Sequence, residues 1–207
     1  MRFFSFIITA GMVSGCASWS TLNTEDMLQD ARDRSVLTSQ AHALANWQEE
    51  TFGGLAAFPG RTFRGEPMTA QGTPDANGVA DVQSWAWSED GKEIIIHHAL
   101  EDGSYGGRSL VYPKTNENEL AYSYVTSAGF ETLGTFTLDE DGSWESIETV
   151  EGHPTITHVR SRGYERADGA LVSESDYLTG DEWSRGTSFV YTEFDGDVPE
   201  VWTGAAE

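Results

Sequence analysis

Between Asp90 and Gly180 the chain places a turn signal every dozen or so residues. The series is Asp90-Gly91, Asp102-Gly103, Asn116 to Asn118, Ser127-Ala128-Gly129, Asp141-Gly142, Gly152-His153-Pro154, Asp168-Gly169 and Thr179-Gly180-Asp181. Asn77-Gly78 precedes it and Asp195-Gly196 follows it. Asn-Gly and Asp-Gly supply the positive φ that tight hairpins demand. Between the turns lie runs rich in Thr, Val, Ile, Tyr, Phe and Trp that alternate with period two. Ten runs can be drawn, over 61–66, 79–87, 92–100, 106–112, 119–125, 129–138, 143–150, 155–162, 170–178 and 182–192. Every connection reads as short enough for a hairpin, which makes the set an antiparallel meander. A sheet of ten strands must curl, and closing it removes both exposed edges. The expected fold is all-β, a ten-stranded antiparallel up-and-down barrel. A sandwich is the alternative, but it usually needs long crossovers that this spacing lacks.

Upstream of Gly53-Gly54 the pattern is different. Thr24-Glu25-Asp26-Met27 offers an N-cap followed by acids in a first helical turn. Met27, Ala31, Leu37, Ala41, Leu44 and Trp47 follow at loosely helical spacing. One N-terminal helical segment is expected over 24–52, with a candidate break at Arg34-Ser35, packing over one end or side of the barrel.

The first residues are Met1-Arg2, then an apolar stretch to Val13, then Ser14-Gly15-Cys16. The stretch falls short of the roughly 20 residues that a membrane-spanning helix needs. Val13-Ser14-Gly15-Cys16 resembles the lipobox of bacterial lipoproteins; an ordinary secretory signal or a buried apolar segment is the other reading. The resemblance implies a signal peptide over 1–15, lipid attachment at Cys16 and a tether over 16–23, ahead of the barrel domain that the strand pattern sets over 58–202. It also implies a bacterial envelope protein whose lipid is its membrane partner, since two or more acyl chains anchor stably. Ala17, where an aspartate would resemble an inner-membrane retention signal, points to the outer membrane, facing the periplasm. Cys16 is the only cysteine, so disulfides and cysteine-built zinc sites are excluded. The chain carries 34 acidic residues against 12 basic, a formal charge of −22. Such a body repels nucleic acid and anionic surfaces, and neither is an expected partner of the folded domain.

The segment from Phe58 to Glu66, with Gly60, Phe63 and Gly65, resembles the first strand of calycin-type barrels, which include lipocalins, fatty-acid-binding proteins and nitrobindins. Trp85-Ala86-Trp87, Asp90-Gly91-Lys92, His97-His98 and Tyr105-Gly106-Gly107 are similar to bacterial nitrobindin-like barrels. The resemblance covers residues 58–193 and implies a small apolar or amphipathic ligand, with haem in some members.

Strand parity nominates the residues that could meet such a ligand. Ile94, Ile96, His98 and Leu100 share one face, as do Leu120, Tyr122 and Tyr124, and Phe130, Thr132 and Phe136. Trp87 and Tyr112 add aromatic wall. Leu110 and Tyr112 bring Arg108 with them, and Phe189 and Tyr191 bring Trp183 and Arg185. On 155–162, parity does not decide whether Ile156, His158, Arg160 and Arg162 or their alternates face inward. The candidate ligand-binding set is Trp87, His98, Arg108, Tyr112, Tyr122, Tyr124, Phe136, Arg160 and Arg185. An interior arginine beside tyrosines would suit a carboxylate head, because arginine makes two parallel hydrogen bonds to it. The alternative is that Arg108, Arg160 and Arg185 pair with carboxylates on the outer surface. No metal site is expected, and Asp139-Glu140-Asp141-Gly142-Ser143 reads as a hairpin turn. A haem could take an axial nitrogen from His98 or His158. No Gly-x-Ser-x-Gly elbow occurs in the mature chain and no catalytic residue stands out. The expected function is ligand binding by an envelope lipoprotein. Alternatives are a non-catalytic interaction lipoprotein with a filled barrel, and a haem-dependent barrel enzyme.

Overall fold

The computed structural model describes residues 24–114 and 119–201. The expected signal peptide, Cys16, the tether and the Asn116 to Asn118 turn lie outside them. One helix, α1 (Thr24–Phe52), leads into a short 3-10 turn at Gly53–Ala57. No break occurs at Arg34-Ser35; there the Thr38 hydroxyl donates to the Arg34 carbonyl at 2.8 Å inside a continuous helix. The first part of α1, to His42, belongs to one compact unit, and the chain from Ala43 forms the other.

Ten strands follow: β1 (Thr62–Pro67), β2 (Asp81–Trp87), β3 (Ile94–Leu100), β4 (Gly106–Pro113), β5 (Leu120–Thr126), β6 (Glu131–Leu138), β7 (Trp144–Glu151), β8 (Ile156–Glu165), β9 (Leu171–Thr179) and β10 (Glu182–Glu193). Each pairs antiparallel with its neighbour in sequence, and β1 pairs with β10, so the sheet is a closed barrel. The meander closes as its length requires. Among the described residues only glycines take positive φ. In the described hairpins the turns end on a left-handed glycine. At β2–β3 the Gly91 N–H, at φ 71°, donates to the Ser88 carbonyl at 2.9 Å. At β6–β7 Gly142 does the same to Asp139 at 3.0 Å. There the Asp141 carboxylate accepts the Ser143 N–H at 3.0 Å, so the acidic run is a turn.

One connection is not a hairpin. Asn77-Gly78 lies in the β1–β2 loop Met68–Ala80, which carries its own Met68–Pro74 bridge. Two strands also shift register. In β10, Arg185 faces Asp176 and Ser188 faces Glu174, an extra residue against β9. In β8, Ile156 faces Thr179 and His158 faces Leu178. An extra residue reverses which alternate side chains point inward.

One end of the barrel is filled. The last turns of α1 belong to the barrel unit, and Gln48 Nε2 donates to the Gly91 carbonyl at 2.8 Å. Phe52, wholly buried, meets Trp47 and Trp87 edge-on at 5.9 and 5.2 Å between ring centres. Leu55, Phe63, Ile94, Val111 and Leu120 complete this plug. Its apolar area is what joins the 3-10 turn to the sheet.

Candidate functional site

Beyond the plug the interior is a cavity of about 680 Å³. Its apolar wall includes Trp85, Ile96, Phe130, Phe136, Leu171 and Phe189. Loop residues Met68, Asp75 and His153 line it at the end away from the plug, with Thr187 of β10.

Inward glycines make room for the large rings. A Cβ on Gly65 would sit 2.4 Å from the Tyr191 ring, one on Gly107 2.4 Å from Tyr124, and one on Gly163 2.3 Å from Trp144. Each is a contact that carbon atoms do not make, so a bare backbone is required wherever a ring crosses a strand.

A chain of polar groups runs along one wall. Tyr191 donates from its hydroxyl to Asp81 Oδ2 at 2.8 Å. Asp81 Oδ1 lies 2.7 Å from His98 Nδ1, and His98 Nε2 lies 2.7 Å from the Tyr124 hydroxyl. Tyr124 in turn lies 2.7 Å from the Tyr105 hydroxyl. The Tyr124 hydroxyl donates to Tyr105, so its oxygen accepts from His98 Nε2–H, while His98 Nδ1 meets the Asp81 carboxylate. Burial pushes the Tyr105 phenol up to about 12 and holds Tyr124 and Tyr191 well above the ordinary phenol range. These groups stay neutral donors at physiological pH.

A second polar group stands on β7. Glu148 is 5 % exposed. It accepts from the Thr132 hydroxyl at 2.5 Å and the Ser146 hydroxyl at 2.7 Å. Burial raises its pKa above the ordinary carboxylate value, and the two hydroxyls pull the other way. Tyr122 lies nearby, bonded to Ser109 at 2.9 Å, and is raised first by burial and then by the Glu148 charge. Trp144 Nε1 is the one buried side-chain polar atom without a hydrogen-bond partner among the described residues.

Of the residues nominated from sequence, His98, Tyr122, Tyr124 and Phe136 meet on the cavity wall. The other five do not line it. Trp87 points inward but belongs to the plug, against Phe52. Arg108 and Tyr112 face out, because β4 turns Ser109 and Val111 to the interior. Leu110 misled the parity argument: it is half-buried on the outer side, in a groove shared with Val198 and Val201 of the C-terminal segment. Arg160 pairs with Asp176 at 2.9 Å and stacks on Trp183 at 4.6 Å. Arg185 pairs with Glu174 on the outer face, below the β10 shift that turns Phe189 and Tyr191 inward. The outer-surface pairing therefore holds for Arg160 and Arg185, and no arginine among the described residues lines the cavity. Sequence reasoning missed Asp81, Tyr105, Trp144 and Glu148. The clue for the last two was the alternation Trp144, Ser146, Glu148, with one ring in phase with the acid.

Neither histidine nominated for a haem presents it a free ring nitrogen in the cavity. His98 has both ring nitrogens engaged, and His158 sits outside the cavity beside Thr157. Comparison with known proteins finds no match, neither to a family model nor among curated proteins. The functional reading rests on the geometry above.

Proposed function

We propose that this chain is a bacterial envelope lipoprotein, anchored through Cys16, whose barrel takes up a small amphipathic molecule. The cavity carries the binding part of the reading. Its volume of about 680 Å³ falls within the roughly 300–1,000 Å³ of small-molecule pockets. It also has the composition of such pockets, apolar walls with a few convergent hydrogen-bonding groups. Anchoring is supported by the lipobox-like Val13-Ser14-Gly15-Cys16, and the likeness to calycin barrels by strand number and order.

The binding test is fluorescence titration with the neutral reporter 1-N-phenylnaphthylamine. Enhancement that saturates at one reporter per chain, and is lost in Ser175→Trp, is the expected result. Ser175 lines the cavity, and the added indole would fill it. No enhancement, or enhancement untouched by a filled cavity in a folded variant, overturns the reading. Anchoring is tested separately: Cys16→Ala should abolish incorporation of a palmitate label and release the chain from membranes.

A further inference from the structure

Its histidines apart, the cavity wall carries charges of one sign. Asp75, Asp81 and Glu148 line it, and no lysine or arginine among the described residues does. Asp81 is answered by His98 and Tyr191, and Asp75 accepts the Asn77 N–H in its loop. Glu148 is different. Both of its oxygens accept from hydroxyls, and no cationic side chain pairs with it. A buried carboxylate without a counter-charge is expensive, so such a site favours whatever brings a positive charge to it.

Aromatic rings lining the same cavity as Glu148 supply the other half of a cation site. Phe136 stacks at 5.2 Å on Tyr122 and at 4.7 Å on Trp144. All three rings line the same cavity as Glu148. Aromatic faces attract an ammonium through the ring quadrupole, most strongly where water is excluded. A carboxylate head meets the reverse: no cationic partner, acids in the wall and ring faces of the wrong sign.

We infer that the cavity selects an organic cation, an amine or quaternary ammonium on an apolar body, with its head against Glu148 and the Tyr122, Phe136 and Trp144 rings. The inference rests on the ligand-binding reading and specifies its substrate class. The charge of the whole molecule, −22, raises the local concentration of such ligands and disfavours fatty carboxylates at the entrance too.

The test keeps the body constant and changes the head. Phenylpropyltrimethylammonium, 3-phenylpropanol and 3-phenylpropionate are titrated against the full chain by calorimetry, with the neutral reporter as competitor. The ammonium should bind at least tenfold tighter than the alcohol, and the carboxylate weaker than both. Glu148→Gln should reduce the ammonium preference at least fivefold and leave the alcohol within twofold. An ammonium no tighter than the alcohol, or a carboxylate equal to the ammonium, overturns the charge inference while cavity binding stands. Full ammonium preference in a folded Glu148→Gln chain overturns the assignment to Glu148. If neither the probes nor the reporter bind, the ligand-binding reading fails and this inference with it. Should Glu148→Gln not fold, the ranking on the parent chain alone decides.

Discussion

Glu148 holds its proton more tightly than an exposed carboxyl because burial penalises the charged form. The unfolded chain releases that proton near the ordinary value of 4.5. Between that value and the raised native one, the native state therefore binds a proton that the unfolded state has lost. The stability from protonated Glu148 is fully present below the ordinary value and is lost as pH rises through the raised one. Glu148→Gln keeps the shape, and Thr132 and Ser146 can turn their hydroxyls to suit an amide. It should be more stable than the parent at pH 8, by about 1–3 kcal/mol, with the advantage closing toward pH 4. Chemical denaturation across that range measures it, and an advantage independent of pH would contradict the assignment. Gly65 makes a second residue-scale case. A methyl there would stand 2.4 Å from the Tyr191 ring, which is held in place by burial and by Asp81. Gly65→Ala should lose about 1–3 kcal/mol, the range for overpacking, and a thermal melt matching the parent would show that the ring moves freely. His98, Tyr122, Tyr124 and Phe136 were legible because each alternates in phase with aliphatic or aromatic neighbours. Asp81 and Glu148 were not, since two inward acids cannot be told from the other 32 of the 34 acidic residues without knowing the face of each strand.

Faces are set at the level of the strand, and there the turns carried nearly all the information. Hairpin signals separate the strands, so the number, order and pairing of β1 to β10 could be read from the chain. Two properties could not be read. The β1–β2 loop, which supplies Met68 and Asp75 to the cavity, looks like one more Asn-Gly hairpin, although its ends lie too far apart for a tight turn. The shifts in β8 and β10 leave no mark either, because one extra residue changes neither composition nor the visible alternation on each side of it. Arg185 and Tyr191 have the same parity along the chain yet face opposite ways for this reason. Deleting Thr187, which lies within the β10 shift, would restore a straight count and force either Phe189 and Tyr191 outward or Arg185 inward. Either outcome exposes buried rings or buries an unpaired charge. The deletion variant should therefore lose cooperative thermal unfolding and near-ultraviolet dichroism. A cooperative melt within a few degrees of the parent would show that the strand can slide without turning its faces.

At the scale of the molecule, closure removes the edges and the last turns of α1, from Ala43, plug one end with the 3-10 turn, so cohesion comes from packing in a chain whose surface is strongly acidic. Salt acts on that surface in two opposed ways. It screens attractive pairs such as Arg61–Glu193, Arg160–Asp176, Arg162–Glu174 and Arg166–Asp168, all of them at least partly exposed. Exposed pairs are individually worth only about 0–1 kcal/mol. It also screens repulsion among acids that outnumber bases 34 to 12. Even if every base were paired one to one, 22 acids would remain without a partner. Repulsion among them outweighs the screened attractions, and the Debye length falls from about 30 Å at 0.01 M to about 3 Å at 1 M. The melting temperature should accordingly rise with sodium chloride over that range. A gain of 1 kcal/mol corresponds to roughly 2–4 °C for a chain of this size. The rise should be shared by potassium chloride, because screening depends on ionic strength and not on the identity of the cation. A fall would mean that the arginine pairs along β8, β9 and β10 outweigh the uncompensated acids. A rise specific to one cation would point to a bound ion in place of screening.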